Sequence, residues 1–211
     1  PDSNYWIGTF AQGLITYNPK NKTSRRYEYD FTDGRSLSSN VIFNIQTDSN
    51  GNVWLATTNG IQRYNPSKDD FSSFLLGSLT VQLLNDSKGV LWAATSNGVF
   101  YYEPETDNFI SVDISCPAFS IFEDPTDSCL WFGSLRGVYK LDASRNYVSY
   151  FEMEARKQEI TDTQNQYWTF GESYAVNGKI YLGGAGNNQP KYYVFNPDSL
   201  SEPKTGSIPY F

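Results

Sequence analysis

The chain holds 211 residues, with 16 Lys and Arg against 23 Asp and Glu, two Cys, 17% aromatic residues and no His. Without His there is no Ser-His-Asp or Cys-His machinery, no imidazole metal ligand and no phospho-accepting His, and a net charge of −7 argues against a phosphate-backbone binder. The aromatic bias points to strands, where such side chains fit a pleated, half-buried surface, and no apolar run reaches the length of a membrane-spanning helix.

The first six residues, 1–6, lack the basic start and apolar run of a secretory leader and read as the interior of a longer chain. From Trp6 onward one motif recurs: a Trp, small or apolar residues, a short polar step, a Gly, an apolar stretch, an aromatic, then Asn-Pro. It runs Trp6, Gly13, Tyr17, Asn18-Pro19, and returns as Trp54, Gly60, Tyr64, Asn65-Pro66. The third copy is Trp92, Gly98, Tyr102, Glu103-Pro104; the fourth is Trp131, Gly137, Leu141, Asp142. A degenerate fifth starts at Tyr181 and closes on Asn196-Pro197. The anchors Trp6, Trp54, Trp92, Trp131 and Tyr181 are spaced 48, 38, 39 and 50 residues, the period of β-propeller blades.

The second copy shows the internal plan. Residues 41–47 alternate and form strand A, 48–51 a polar turn, 52–57 strand B, 58–60 a tight turn whose Gly takes positive φ, 61–64 strand C, and 70–75 strand D after the ladder-breaking Pro66. The third and fourth A strands fall at 80–84 and 118–123. The first copy carries B, C and D without an A strand; the last places A near 167–171. The expected architecture is all-β: a β-propeller of four-stranded antiparallel blades over 1–211, about five blades or part-blades, a fragment of a larger ring. The repeated Trp is expected to wedge between neighbouring blades. Cys116 and Cys129 fall about 20 Å apart in a hairpin turning near 124–128, too far for a disulfide, so two free thiols are expected.

Asp33-Gly34-Arg35-Ser36-Leu37, followed by Asp48, Trp54, Gly60 and Tyr64-Asn65-Pro66, resembles the two-component-regulator propeller repeat. The resemblance covers essentially the whole chain, with departures at Leu141-Asp142 and Tyr181. It implies the periplasmic sensor region of a hybrid two-component sensor histidine kinase. In that family two seven-bladed propellers precede an immunoglobulin-like all-β domain, a membrane helix, a kinase and often a DNA-binding receiver. It further implies an oligosaccharide ligand, packing against the remaining blades and the following all-β domain, a possible homodimer, and a kinase outside this chain. The stretch 178–200 resembles the end of the family's second propeller.

The residues add their own candidates. D–A connections and B–C turns share one face of a propeller, and two of those connections, 31–40 and 151–166, are long. Binding loops concentrate on one face of a rigid scaffold. Amides, a guanidinium and an indole there suit a sugar or peptide through planar hydrogen bonding and stacking, which nominates Gln12, Arg35, Asn59, Asn97, Arg136 and Trp168. Turn acids such as Asp48 and Asp124 superficially resemble oxygen-rich cation turns, but ordinary hairpin chemistry accounts for them, so no metal and no cofactor is expected. Glu172, within an aromatic stretch, reads as a strand end rather than one of a pair of catalytic carboxylates. The charged stretch 152–159 reads as an exposed excursion. Two other classes remain open: a polysaccharide lyase or hydrolase, and a protein-interaction propeller.

Overall fold

The computed structural model describes residues 4–112, 114, 116–134, 137–152, 174–176, 178–186, 189–197 and 204–207. The described residues are strands and turns, with no α-helix. Strands β1 (Tyr5–Gly8), β2 (Leu14–Asn18) and β3 (Thr23–Tyr27) form the first sheet. Strands β4 (Ile42–Thr47), β5 (Val53–Thr57), β6 (Gly60–Asn65) and β7 (Asp70–Phe74) form the second, and β8 (Thr80–Asn85), β9 (Leu91–Thr95), β10 (Gly98–Glu103) and β11 (Asn108–Ser111) the third. Each is an up-and-down antiparallel meander in chain order; the second and third have the four strands of a propeller blade and the first has three. The fourth sheet holds β12 (Ala118–Glu123), β13 (Leu130–Ser134), β14 (Gly137–Leu141) and β15 (Tyr147–Glu152), and the fifth β16 (Tyr174–Val176), β17 (Lys179–Gly186) and β18 (Gln189–Phe195). The chain forms two compact units, residues 1–93 with 101–110, and residues 94–100 with 111–211.

In the first unit the core gathers Leu14, Leu37, Ile42, Leu55 and Phe71, with Trp6, Tyr27, Ile45 and Tyr64 packed against it. Trp54 is fully buried. Its ring lies 5.4 Å from Phe74 of its own blade and 4.7 and 5.7 Å from Tyr102 and Phe109 of the next, so it wedges between blades as the repeat implied. Trp6 repeats this one blade earlier, edge-on to Tyr64 at 4.8 Å. The inner strands are tied by side chains: Asn44 Oδ1 accepts the Leu83 N–H at 3.1 Å, and Asn85 Nδ2 donates to the Thr47 carbonyl at 2.6 Å.

The B–C turns share one device in both units. A hydroxyl just before the turn donates to the carbonyl of the repeat Gly: Thr9 to Gly13 at 2.8 Å, Thr57 to Gly60 at 3.0 Å, Thr95 to Gly98 at 2.9 Å, and Ser134 to Gly137 at 2.9 Å. Gly60 has φ +93°, and a Cβ there would stand 2.4 Å from the Phe74 carbonyl oxygen. At Gly137 a Cβ would stand 2.1 Å from the Phe151 oxygen, so close backbone approach demands the Gly in that blade too.

In the second unit Trp131 and Phe132 are buried with Ile121, Leu130, Val138 and Leu141. Cys116 and Cys129 are free thiols, as their spacing predicted. The strand paired with β17 is β16, with Tyr174 opposite Tyr181; the expected A strand at 167–171 lies outside the described residues, as do Glu172 and residues 153–159. Beyond the fifth blade, β19 (Lys204–Ser207) does not extend its own blade. It pairs antiparallel with β15 and gives the fourth sheet a fifth strand, from Tyr147 opposite Ser207 to Tyr150 opposite Lys204.

Candidate functional site

The loop face was expected to carry the ligand. Its long 28–41 connection is anchored at several points. Leu37 is buried in the core beside Leu14 and Phe71. Gln62, with no exposed surface, accepts the Ser38 N–H at 2.9 Å and donates to the Ser36 carbonyl and the Ser73 hydroxyl, each at 3.1 Å. A buried amide with three partners is a specifying device, since each lost partner would leave a desolvated polar atom. The Phe71 N–H binds the Arg35 carbonyl at 3.0 Å. The connection is thus clamped onto the second blade.

The nominated residues fare differently. Gln12 is exposed at the β1–β2 turn, its N–H donating to Thr9 Oγ1 at 2.8 Å. The Arg35 guanidinium is 74% exposed, 3.9 Å from Asp33 and 3.8 Å from Asp70, and remains accessible to a ligand. Asn59 is a brace: its Nδ2 donates to the Ser38 carbonyl at 3.3 Å and its Oδ1 accepts the Gly77 N–H at 2.8 Å, joining the two connections flanking its blade. Asn97 is exposed in its turn, held by Thr95 and Ser96. Arg136 and Trp168 lie outside the described residues. In the first unit the connections and turns also present Phe10, Tyr29 and Phe31, at 64, 51 and 85% exposure. Phe10 stands edge-on to Phe43 at 5.5 Å. Exposed rings and an accessible guanidinium are groups that a saccharide uses for stacking and hydrogen bonding. Sequence reasoning missed these aromatics because it weighed amides within turns, and missed Gln62 because it read as a strand residue.

The C–D turns carry a second set of groups. In blade two the Tyr64 hydroxyl donates to Asp69 Oδ1 at 2.8 Å, and Tyr27 of blade one donates to the same oxygen at 2.7 Å. Arg25 of blade one pairs with the other oxygen and lies 4.7 Å from the Tyr27 ring centre. In blade three Tyr102 donates to Asp107 at 2.5 Å, and Arg63 of blade two reaches both Asp107 oxygens at 2.7 and 3.1 Å. Asp69 and Asp107 both sit at positive φ, 57° and 49°. Burial pushes the Tyr27 phenol above its ordinary range, helped by Tyr64 and Asp69. Burial alone would raise the Asp69 carboxyl, but the two hydroxyls and Arg25 outweigh it and hold the group below the usual carboxylate range. These are inter-blade clasps of neutralised charge. Among the described residues no group of three or more acids and thiols is arranged to hold a metal ion.

Residues 36–59 match the family model described as a two component regulator propeller. This segment is similar to the two-component-regulator propeller repeat. It runs from the clamped connection through β4 and β5 to Asn59. No curated protein matches the chain. Among solved structures, the extracellular domain of the hybrid two component system BT4673 from B. thetaiotaomicron is 20% identical with a TM-score of 0.65, covering 91% of this chain and 26% of that one. PorZ, a component of the type-IX secretion system of Porphyromonas gingivalis, is 15% identical with a TM-score of 0.52, covering 90% and 30%. An ancestral GH74 enzyme is 13% identical with a TM-score of 0.52, covering 96% and 36%. The chain therefore spans about a quarter of the length of the BT4673 domain. At these identities the likenesses show a shared propeller fold.

Proposed function

We propose that this chain is part of the extracytoplasmic, ligand-receiving propeller of a hybrid two-component sensor, that its ligand is a glycan-derived saccharide, and that it performs no chemistry itself. The propeller repeat at 36–59 carries this reading. Gln12, Arg35 and the exposed rings of Phe10, Tyr29 and Phe31, in the β1–β2 turn and the 28–41 connection, supply groups suited to a saccharide. The BT4673 likeness supports the same setting, since that protein is an extracellular domain of a hybrid two component system. Binding shifts the packing of the propeller, and the shift is passed to a kinase outside this chain. The test is calorimetric titration of neutral and acidic oligosaccharides against a polypeptide carrying this chain, with Arg35→Ala and Phe31→Ala as variants. Loss of affinity in both supports the reading. Turnover of the saccharide, or affinity indifferent to both changes, overturns it.

A further inference from the structure

On the C–D side of the first unit lies an open hollow of about 410 Å³. That is within the size range of small-molecule sites. Its walls include Asn4, Thr16, Ser24, Arg25, Tyr64 and Asp69.

The origin of the space is visible in the strand register. The third residue after each repeat Gly lies beside the blade Trp. In blade two it is Arg63, whose guanidinium carbon lies 5.2 Å from the Trp54 ring centre. In blade three it is Tyr101, 5.7 Å from Trp92. In blade four it is Lys140, with Nζ 5.0 Å from the Trp131 ring centre. In blade one it is Thr16, too short to reach over Trp6. The cation has moved across the sheet: Thr16 faces Arg25 on the outer strand, whereas in blade two Arg63 faces Ser72. Exchanging the long and short partners of one cross-strand pair removes the filler from the inner strand and leaves a lined hollow.

We propose that this hollow binds a neutral, polyhydroxylated small molecule of the monosaccharide or disaccharide class; the choice of saccharide rests on the function proposed above, while the site is distinct from the loop face. The electrostatics select for neutrality. Asp69 and Arg25 already compensate each other, with Tyr27 and Tyr64 on the same carboxylate, so the hollow offers neither a free guanidinium to an anion nor a free carboxylate to a cation. Hydrogen-bonding capacity remains. The Asn4 Oδ1 is buried with no partner among the described residues, an acceptor that a ligand hydroxyl completes. Ser24 supplies a hydroxyl at the exposed rim.

The test is ligand-observed NMR titration of the full 211-residue chain. Methyl glucoside and maltose are the neutral probes; glucuronate and glucosamine are the charged ones. Thr16→Arg, which restores the filler seen in blade two, and Ser24→Tyr, which plugs the rim from an exposed position, are each expected to weaken neutral-probe binding about tenfold or more. Glu105→Ala, at an exposed turn residue of blade three that belongs to neither surface, is expected to leave it unchanged. Should Thr16→Arg fail to fold, Ser24→Tyr decides. Neutral probes that bind both filled variants as tightly as the parent chain overturn the proposal, as do charged probes that bind better than neutral ones or neutral probes that do not saturate at millimolar concentration. If Phe31→Ala removes neutral-probe binding and the filled variants keep it, the cavity proposal falls and the loop-face function stands. Filled variants that lose the neutral probes, while Phe31→Ala loses only the longer oligosaccharides, uphold both sites.

Discussion

The A–B hairpins of blades two and three differ from that of blade four in how they use aspartate. In blade two a single residue does everything. Asp48 Oδ1 accepts the N–H groups of Asn50 and Asn52 at 3.0 and 2.9 Å, and its Oδ2 accepts Asn52 Nδ2 at 2.9 Å and the buried Trp54 indole N–H at 2.8 Å. Asp86 repeats this with Lys88, Val90 and Trp92, the indole bond measuring 2.9 Å. Each carboxylate lies six residues before its Trp, which fuses turn closure to placement of the inter-blade wedge. The hairpin of blade four is one residue longer. There Asp124 closes the turn through the Thr126 N–H and hydroxyl, at 2.9 and 2.6 Å. Asp127 accepts the Cys129 N–H at 2.9 Å and the Lys140 ammonium at 3.1 Å, and that ammonium lies over Trp131. One inserted residue has divided one clamp into two. The difference teaches that in these three blades the indole keeps an electrostatic partner by either of two routes, a turn carboxylate or a cation on the neighbouring strand.

This comparison sets the predictions. Asp48→Ala is expected to have the largest effect, about 2–3 kcal/mol lost in urea denaturation, because several charge-assisted bonds go at once and a buried indole N–H loses its acceptor. Asp124→Ala removes only turn bonds and is expected to cost about 1 kcal/mol by the same measurement; equal losses would break the distinction. Trp54→Phe keeps a ring in the wedge but deletes the indole donor, and about 1 kcal/mol is expected. Asp127→Asn weakens the attraction for Lys140, a partly exposed pair, and is expected to cost no more than about 0.5–1 kcal/mol, reduced by added salt.

Acid sharpens the same contrast. Burial alone would raise the Asp48 carboxyl, but its hydrogen bonds from Asn52, Trp54 and Asn50 prevail and hold it below 3.8. Asp127 is likewise held down against burial by the Cys129 N–H and Lys140. A carboxyl depressed in the folded state stabilises the fold above its unfolded value and loses that contribution as pH falls through the folded value. The urea midpoint is therefore expected to hold above about pH 5 and to fall as pH passes below the ordinary 3.8. The fall should be shallower in both Asp48→Asn and Asp127→Asn; an unchanged acid limb in either variant would remove that residue from the account.

Much of the fold was legible because its determinants are local and repeated. Strands β4 to β8 begin and end within a residue or so of the expected spans, and β12 coincides with its own. Gly60 and Gly137 occupy positions where a Cβ would run into backbone. The pairing of β19 with β15 was not legible: it joins residues far apart in the chain, and Lys204-Thr205-Gly206-Ser207 carries no alternating apolar pattern to announce a strand. For the site, exposure of Gln12 and Arg35 was readable from turn chemistry. The bracing role of Asn59 was not, since it depends on two connections meeting in space. The cavity was least legible, because its cause is a short side chain. Thr16 is unremarkable until the register sets it against Arg25, beside a Trp that other blades cover.

The strand β19 has a mechanical consequence. Load applied beyond Ser207 does not pass first to β18, the preceding strand in the chain. It enters the fourth sheet through four register pairs on β15 and is shared with β14 and β13, whose residues include the buried Trp131. The fourth blade thereby becomes the point of attachment through which tension on the end of this chain is felt.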